Sequence, residues 1–299
     1  MSRQKYAVLS MDIEDWYHLD YFAGKACDRT YSMLDGLDAY QQVMESHQIR
    51  SSYFVLGEVV PSLKSTLRQM NERGDDIGTH GWGHVRPLTM DVGAFEAEVR
   101  SCKNELEDVL GKPVLGYRAP CFSLDRERLD ALQRADLKYD SSRILFGDHP
   151  LYGELDLQGF EERLPGISCR GEFFEFEIST LLFAGKQIPV SGGGYLRIFP
   201  WPVMKGLLKR YLEKAHLYVL YIHPFETSAQ PDPVMPQGTS RASQFRCSLG
   251  RASVLKKLEA LITMLKSHGF EFTTFSALRE KMLQEPSWKH SPVSQALRQ

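Results

Sequence analysis

No run of apolar residues approaches the roughly 20 needed to cross a bilayer. The sequence therefore predicts no transmembrane segment. The opening "MSRQKYAVLSMDIED" reaches acid after only a few apolar residues, too few for a signal-peptide core. Charge of neither sign dominates: 36 basic residues stand against 38 acidic ones, a net charge of −2. A nucleic-acid partner, which calls for a basic excess, is disfavoured. Cysteine is sparse and odd in number. Cys27, Cys102, Cys121, Cys169 and Cys247 are scattered, with no C-x-x-C pair. That excludes a disulfide framework and a thiolate zinc site. Unpaired thiols suit a reducing compartment, so the expectation is a cytoplasmic protein, or one peripheral at the inner membrane. Internal repeats and low-complexity blocks are also missing.

What is present is an alternation of strand-like and helix-like segments. "YAVLSM" (6–11), "SSYFVLG" (51–57), "DIGTH" (76–80), "VLGYRAP" (114–120), "KYDSS" (138–142), "LYVLYIHP" (217–224) and "FEFTTF" (270–275) read as strands. Between them, 37–47, 61–74, 92–111, 126–135, 202–215 and 253–268 carry helical periodicity or helix punctuation. In 92–111 the residues Phe95, Val99, Cys102, Leu106 and Val109 share one face before Gly111 stops the helix. A βαβα rhythm with short turns predicts a parallel sheet covered by helices. Residues 145–200, rich in Gly, Pro and Phe, predict irregular strands and loops, and 228–248 predicts a polar excursion. The expected organisation is one catalytic domain over 1–285 with a polar tail at 286–299.

Three carboxylates, Asp12, Glu14 and Asp15, crowd the end of the first strand. Like charges this close repel, so they must either face water or hold something positive. In parallel α/β folds, sites gather at strand ends, and four other strand ends carry unusual residues. "THGWGHVRP" spaces His80 and His84 as H-x-x-x-H, which brings both imidazoles to one ion on a helix or a tight turn. The competing account is a solvated histidine pair. "GYRAPCF" ends a strand in Arg118, able to hold a carboxylate bidentately; a surface arginine is the plain alternative. Asp140 in "YDSS" equally suits a turn or a helix cap. His223 in "VLYIHPFE", at the end of an apolar strand and before a proline, suits a general acid, or a satisfied core histidine. Taken together, a divalent ion on one carboxylate plus His80 and His84 would neutralise part of the acidic cluster. A second carboxylate, oriented by Arg118, would take a proton from the attacking water, and His223 would protonate a leaving amine. That is a set for metal-assisted hydrolysis of an amide or ester.

The order D-x-E-D, H-x-x-x-H, R-x-P and a strand ending in His-Pro resembles the polysaccharide deacetylases with a NodB-homology domain, carbohydrate esterase family 4. "DIEDWYH", "SGGGYLRIFP" and "YIHPFE" resemble its surface-glycan and exopolysaccharide subgroup. The resemblance spans roughly residues 5–280. It implies an α/β fold, a deformed (β/α) barrel of seven strands, and a divalent metal: zinc, with cobalt, nickel, manganese or iron(II) as alternatives. By the same resemblance Asp12 is the general base, His80 and His84 are metal ligands, Arg118 orients Asp12, His223 is the general acid and Asp140 tunes it. The family's commonest pattern has two adjacent acids, whereas here Ile13 intervenes, so the carboxylate ligand is Glu14 or Asp15. "SGGGYLRIFP" lacks the lysine and spacing of a P-loop. It is expected as a Gly-rich substrate loop, with Tyr195 and Arg197 touching sugar or phosphate. Trp16, Tyr17, Trp82, Pro120 and Phe122 flank the motifs and can pack on a sugar ring, core packing being the alternative. The implied reaction is N-deacetylation of an amino sugar that is nucleotide-linked, lipid-linked or part of an oligosaccharide. Hydrolysis of an N-formyl sugar or cyclic amide on the same scaffold, and a non-catalytic glycan-binding relic, are the other readings.

Overall fold

A computed structural model describes residues 4–147 and 149–284; the polar tail expected at 286–299 lies outside them. Strands β1 (Lys5–Ile13), β2 (Ser52–Val55), β3 (Asp76–Thr79), β4 (Gly116–Tyr117), β5 (Tyr139–Asp140), β6 (Glu161–Leu164), β7 (Ile167–Arg170) and β8 (Phe173–Phe176) are followed by the hairpin β9 (Thr180–Phe183) and β10 (Lys186–Pro189), then β11 (Leu217–Ile222) and β12 (Phe270–Phe272). The sheet order is β11-β1-β2-β3-β4-β5-β8-β7-β6. From β11 to β8 every pairing is parallel, a run of seven strands. β7 and β6 continue the sheet antiparallel. The fold is a deformed (β/α) barrel, as the resemblance implied.

The deformation has a local cause. β8 and β11 do not pair. Ser179 fills part of the gap by accepting a hydrogen bond from the Val219 amide at 2.9 Å. Tyr221 donates to the Ser191 carbonyl at 3.0 Å. β12 lies against the first residues of β1, and β2 takes the same edge from Ser10 onward.

The covering helices include α1 (Gly36–Ser46), α2 (Val60–Arg73), α3 (Val92–Leu110) and α4 (Arg126–Arg134). α3 buries the five residues its periodicity singled out; its first turn is capped by Asp91, and it ends at a left-handed Gly111. The irregular reading of 145–200 is corrected in part. The segment builds the ordered β6–β10 and a short helix, α5 (Gly193–Ile198), where a Gly-rich substrate loop was expected. The reason is close approach: a β-carbon at Gly193 would sit 1.9 Å from a Glu226 carboxylate oxygen. α6 (Trp201–Lys214), α7 (Pro224–Thr227), α8 (Arg241–Ser248), α9 (Arg251–Ser267) and α10 (Phe275–Gln284) complete the chain. α8 therefore orders part of the 228–248 excursion.

Side-chain alternation along β1 positions the site. Ala7, Leu9, Met11 and Ile13 pack in one core with residues of the covering helices, whereas Tyr6 and Val8 pack with Phe54, Tyr139, Phe176 and Tyr221. Asp12 falls on the Val8 side by the two-residue period of a strand.

Candidate active site

The end of β1 places two carboxylates differently. Asp12 is buried and accepts from Nη1 of Arg118 at 2.7 Å. Arg118 is itself fully buried. The same nitrogen donates to Ser10 Oγ, while Nε and Nη2 donate to the carbonyl and hydroxyl of Ser141 at 3.0 Å each. The guanidinium lies over the Phe54 ring, 4.3 Å from its centre. Arg118 thus holds Asp12 in one orientation.

After Ile13 the chain turns, with the Glu14 amide donating to the Asp12 carbonyl. Glu14 remains buried and turns toward the histidines. Its oxygens lie 2.8 Å from His84 Nε2 and 3.6 Å from His223 Nε2. Ligand atoms of Glu14, His80 and His84 lie within 4.8 Å of one another. Burial alone would raise the Glu14 pKa, but His84, His223 and His80 hold it well below the usual carboxylate range. His80 donates from Nδ1 to the Arg118 carbonyl at 2.8 Å, which leaves Nε2 bare. Burial pushes the His80 pKa down to about 4, against the pull of Asp12, so the ring is neutral at pH 7. His84 reaches the cluster from a backbone with φ of +59°, in a loop that also turns at Gly81. A non-glycine residue held left-handed is strained, and such strain gathers at functional sites. Glu14 Oε2, buried, has no partner among the described residues beyond the His84 imidazole at 2.8 Å. A buried carboxylate oxygen beside two imidazoles is a donor set that fits a divalent metal.

Asp15 is a correction: it stands outside this cluster. Its Oδ1 accepts from the amides of Trp16 and Met33 at 2.8 and 2.9 Å, capping the turn at Trp16–His18. The chain leaves the strand after Ile13, and this turn swings Asp15 toward backbone donors instead of the histidines.

His223 closes the other side. Its Nδ1 lies 3.1 Å from Glu226 Oε2, three residues on. Burial opposes protonation, yet Glu226, Glu14 and Asp12 raise its pKa to about 9. Glu226 is held in turn by Nε of Arg197 at 2.8 Å. Arg197 is a second correction: it is buried behind Glu226, its other nitrogens donate to carbonyls of Arg246, Cys247 and Leu249, and it does not face a substrate. Asp140 is a third. It does not reach His223 but lies buried against Glu175, hydrogen-bonded by Ser142. Trp16 is a fourth: it is buried, donates to the Tyr31 carbonyl and packs on Phe22. Pro120 and Phe122 are buried too, with Phe122 edge-on to Tyr221. Tyr195 is half-buried against Phe146 and Phe199. Trp82, 39% exposed, accepts the Glu58 amide on its carbonyl, and Tyr17 is half-buried under the guanidinium of Arg29, which pairs with Glu58.

Residues that the sequence reading passed over are Glu226, Ser10 and Ser141. Glu226 carried a signal, since His223 caps α7 and a glutamate three residues after the cap is the capping-box spacing.

A family profile described as "Polysaccharide deacetylase" matches residues 31–139. Over those residues the chain resembles the polysaccharide deacetylase family. His80, His84 and Arg118 lie within the deacetylase segment. Asp12 and Glu14 precede it, and His223 and Glu226 lie in 142–280, which matches a domain of unknown function, DUF3473. The site is thus assembled from both matched segments and the strand before them. A peptidoglycan deacetylase from Helicobacter pylori is 22% identical over 117 residues, covering 39% of this chain and 40% of that protein. A chitin deacetylase from a Pestalotiopsis species is 27% identical over 105 residues, covering 33% and 35%. The chain thus matches well under half the length of these relatives. Among solved structures, a candidate polysaccharide deacetylase from Mycobacterium smegmatis superposes with a TM-score of 0.60 at 15% identity, over 94% of this chain and 92% of that one. A Bacillus anthracis pseudoenzyme of carbohydrate esterase family 4 gives 0.54 at 11% identity, over 93% and 66%. At these identities the likeness concerns the fold.

Proposed function

We propose that this protein is a metal-dependent hydrolase that removes an N-acetyl group from an amino sugar, within bacterial surface-glycan synthesis. The observation that carries the reading is the buried Asp12–Arg118 pair beside the Glu14, His80 and His84 cluster, with His223 on its far side. The deacetylase segment and the names of its relatives support the substrate class. The opening motifs' resemblance to the exopolysaccharide subgroup supports the pathway.

Glu14, His80 and His84 would hold the ion, zinc by the nitrogen-rich donor set. When bound, it supplies Lewis acidity toward the amide oxygen and lowers the pKa of water. Asp12, held off the histidine cluster by Arg118, takes the proton of the attacking water. His80 stays neutral, its Nδ1 proton committed to a backbone carbonyl. His223, kept protonated by Glu226, donates to the amide nitrogen as the C–N bond breaks, so that an amine and acetate leave. Trp82 and Tyr17 offer faces for a sugar ring.

The test is acetate release from N-acetylhexosamine nucleotide sugars and from oligosaccharides. The wild-type chain should release acetate, and Asp12→Asn should lower kcat about 10²–10⁴-fold while leaving bound metal unchanged. Release from N-formyl substrates alone would move the acyl group. An Asp12→Asn variant as active as wild type would remove Asp12 from the chemistry.

A further inference from the structure

The β9–β10 hairpin stands apart from the site. Its two-residue loop is Ala184–Gly185, both left-handed, with φ of +49° and +75°. That is the primed turn of a tight hairpin, where asparagine or aspartate is the usual first residue. Here a strained alanine keeps the tip apolar. Leu182 and Phe183 lead into it, 65% and 38% exposed, and being adjacent on a strand they point to opposite faces. Leu182 stays largely open on one side of this ribbon, and Phe183 on the other keeps part of its ring exposed.

Cations surround this tip. Lys186 follows the turn and is exposed. The Arg210 guanidinium lies over the Phe183 ring, 4.8 Å from its centre, which docks the hairpin against α6. Val203, 51% exposed, and Lys214 share that helix face at spacings of seven and four residues from Arg210. Beside them opens a cleft of about 240 Å³, lined by Leu181, Arg210, Lys214, His216 and Glu177 among others. Glu177 is already paired with Arg143 at 2.6 Å. Nδ1 of His216 is buried and has no hydrogen-bond partner among the described residues. Glu213 is the acid nearest in sequence on α6, and it too is exposed.

We propose that this hairpin and the adjoining face of α6 dock on an anionic phospholipid bilayer, with Leu182, Phe183 and Val203 entering the headgroup boundary and Arg210, Lys214 and Lys186 facing lipid phosphates. Apolar side chains ringed by long cations are the composition of an interfacial anchor. The cleft cations alone would suit any phosphate. The exposed apolar tip is what selects a bilayer, since a soluble phosphate gives Leu182 and Phe183 nothing to bury against. None of these residues takes part in the candidate active site.

The experiment is co-sedimentation of the full chain with vesicles of phosphatidylcholine alone or mixed with phosphatidylglycerol. Wild type should partition at least about tenfold more strongly onto the anionic vesicles, and raising salt to about 0.5 M should release it. The double variant Leu182→Asp/Phe183→Asp should lose binding at every salt concentration. Arg210→Glu/Lys214→Glu should lose only the preference for anionic lipid. Both change exposed side chains and should keep the wild-type thermal transition; should either misfold, the lipid and salt dependence of wild type still decides. No partition of wild type onto anionic vesicles overturns the proposal, as does binding that neither variant alters. A wild-type dimer that Leu182→Asp/Phe183→Asp converts to monomer, without vesicle binding, would assign the tip to a second copy of the chain instead.

Discussion

Arg118 is the residue on which most of the site's geometry converges. It is fully buried, stacked on Phe54, and its donors are spent on Asp12, Ser10 and Ser141. Removing one partner of a buried ion pair leaves the other charge without compensation, at about 3–5 kcal/mol. Arg118→Met should therefore lower unfolding stability by that order in urea titration, and Arg118→Lys should not restore it, because an ammonium cannot reproduce the fork. A variant as stable as wild type would mean that Asp12 finds solvent or another donor. Asp12 itself was legible as the first of three acids crowding the end of the first strand, with its role implied by the family resemblance. The choice between Glu14 and Asp15 was not, since both acids follow the strand and only the turn after Ile13, with its backbone amides at Trp16 and Met33, separates them.

At the scale of elements, α5 and α7 work together. Arg197 on α5 holds Glu226 on α7, and Glu226 holds the imidazole of His223 at the helix cap. The Glu226 charge raises the His223 pKa, so removing that charge lowers it. A general acid must be protonated, and its titration sets the basic limb of the rate profile. Glu226→Gln should therefore move the basic limb of kcat to lower pH, read from acetate release across pH. An unmoved limb would take Glu226 out of this role. α5 was misread as a Gly-rich substrate loop because three glycines in sequence signal a turn. Close approach of Gly193 to Glu226 is a tertiary fact that local composition does not carry. Arg197 was misplaced for the same reason. The helices α3 and α6, by contrast, announced themselves through period and punctuation.

Across the whole molecule, the parallel arrangement of β1–β5, β11 and β12 was legible from the βα rhythm. β8, its antiparallel neighbours β7 and β6, and the bridged gap at Ser179 were not, because pairing partners distant in sequence leave no periodic mark. Behind Arg118, the barrel wall holds Asp140 and Glu175 together in full burial. Burial raises the pKa of both, that of Asp140 to about 6, and the Asp140 charge raises that of Glu175 further. The folded chain thus keeps a proton that the unfolded chain gives up above the ordinary carboxylate range, and stability falls as pH rises through that window. Glu175→Gln removes the proton from this linkage. Its stability relative to wild type should rise as pH increases from the ordinary carboxylate range to neutrality, measured by urea unfolding at each pH. A difference independent of pH would place an ionised pair in the wall.

The central claim is that Glu14, His80 and His84 form one metal centre on which hydrolysis depends. Elemental analysis of the chain purified without chelator, beside His80→Ala, measures it directly. The account predicts about one divalent ion per chain in wild type, lost in His80→Ala together with acetate release, while the thermal transition of the folded chain is still seen. A wild-type chain that takes up no metal even after zinc is added, or a His80→Ala variant that binds it equally, would contradict the account.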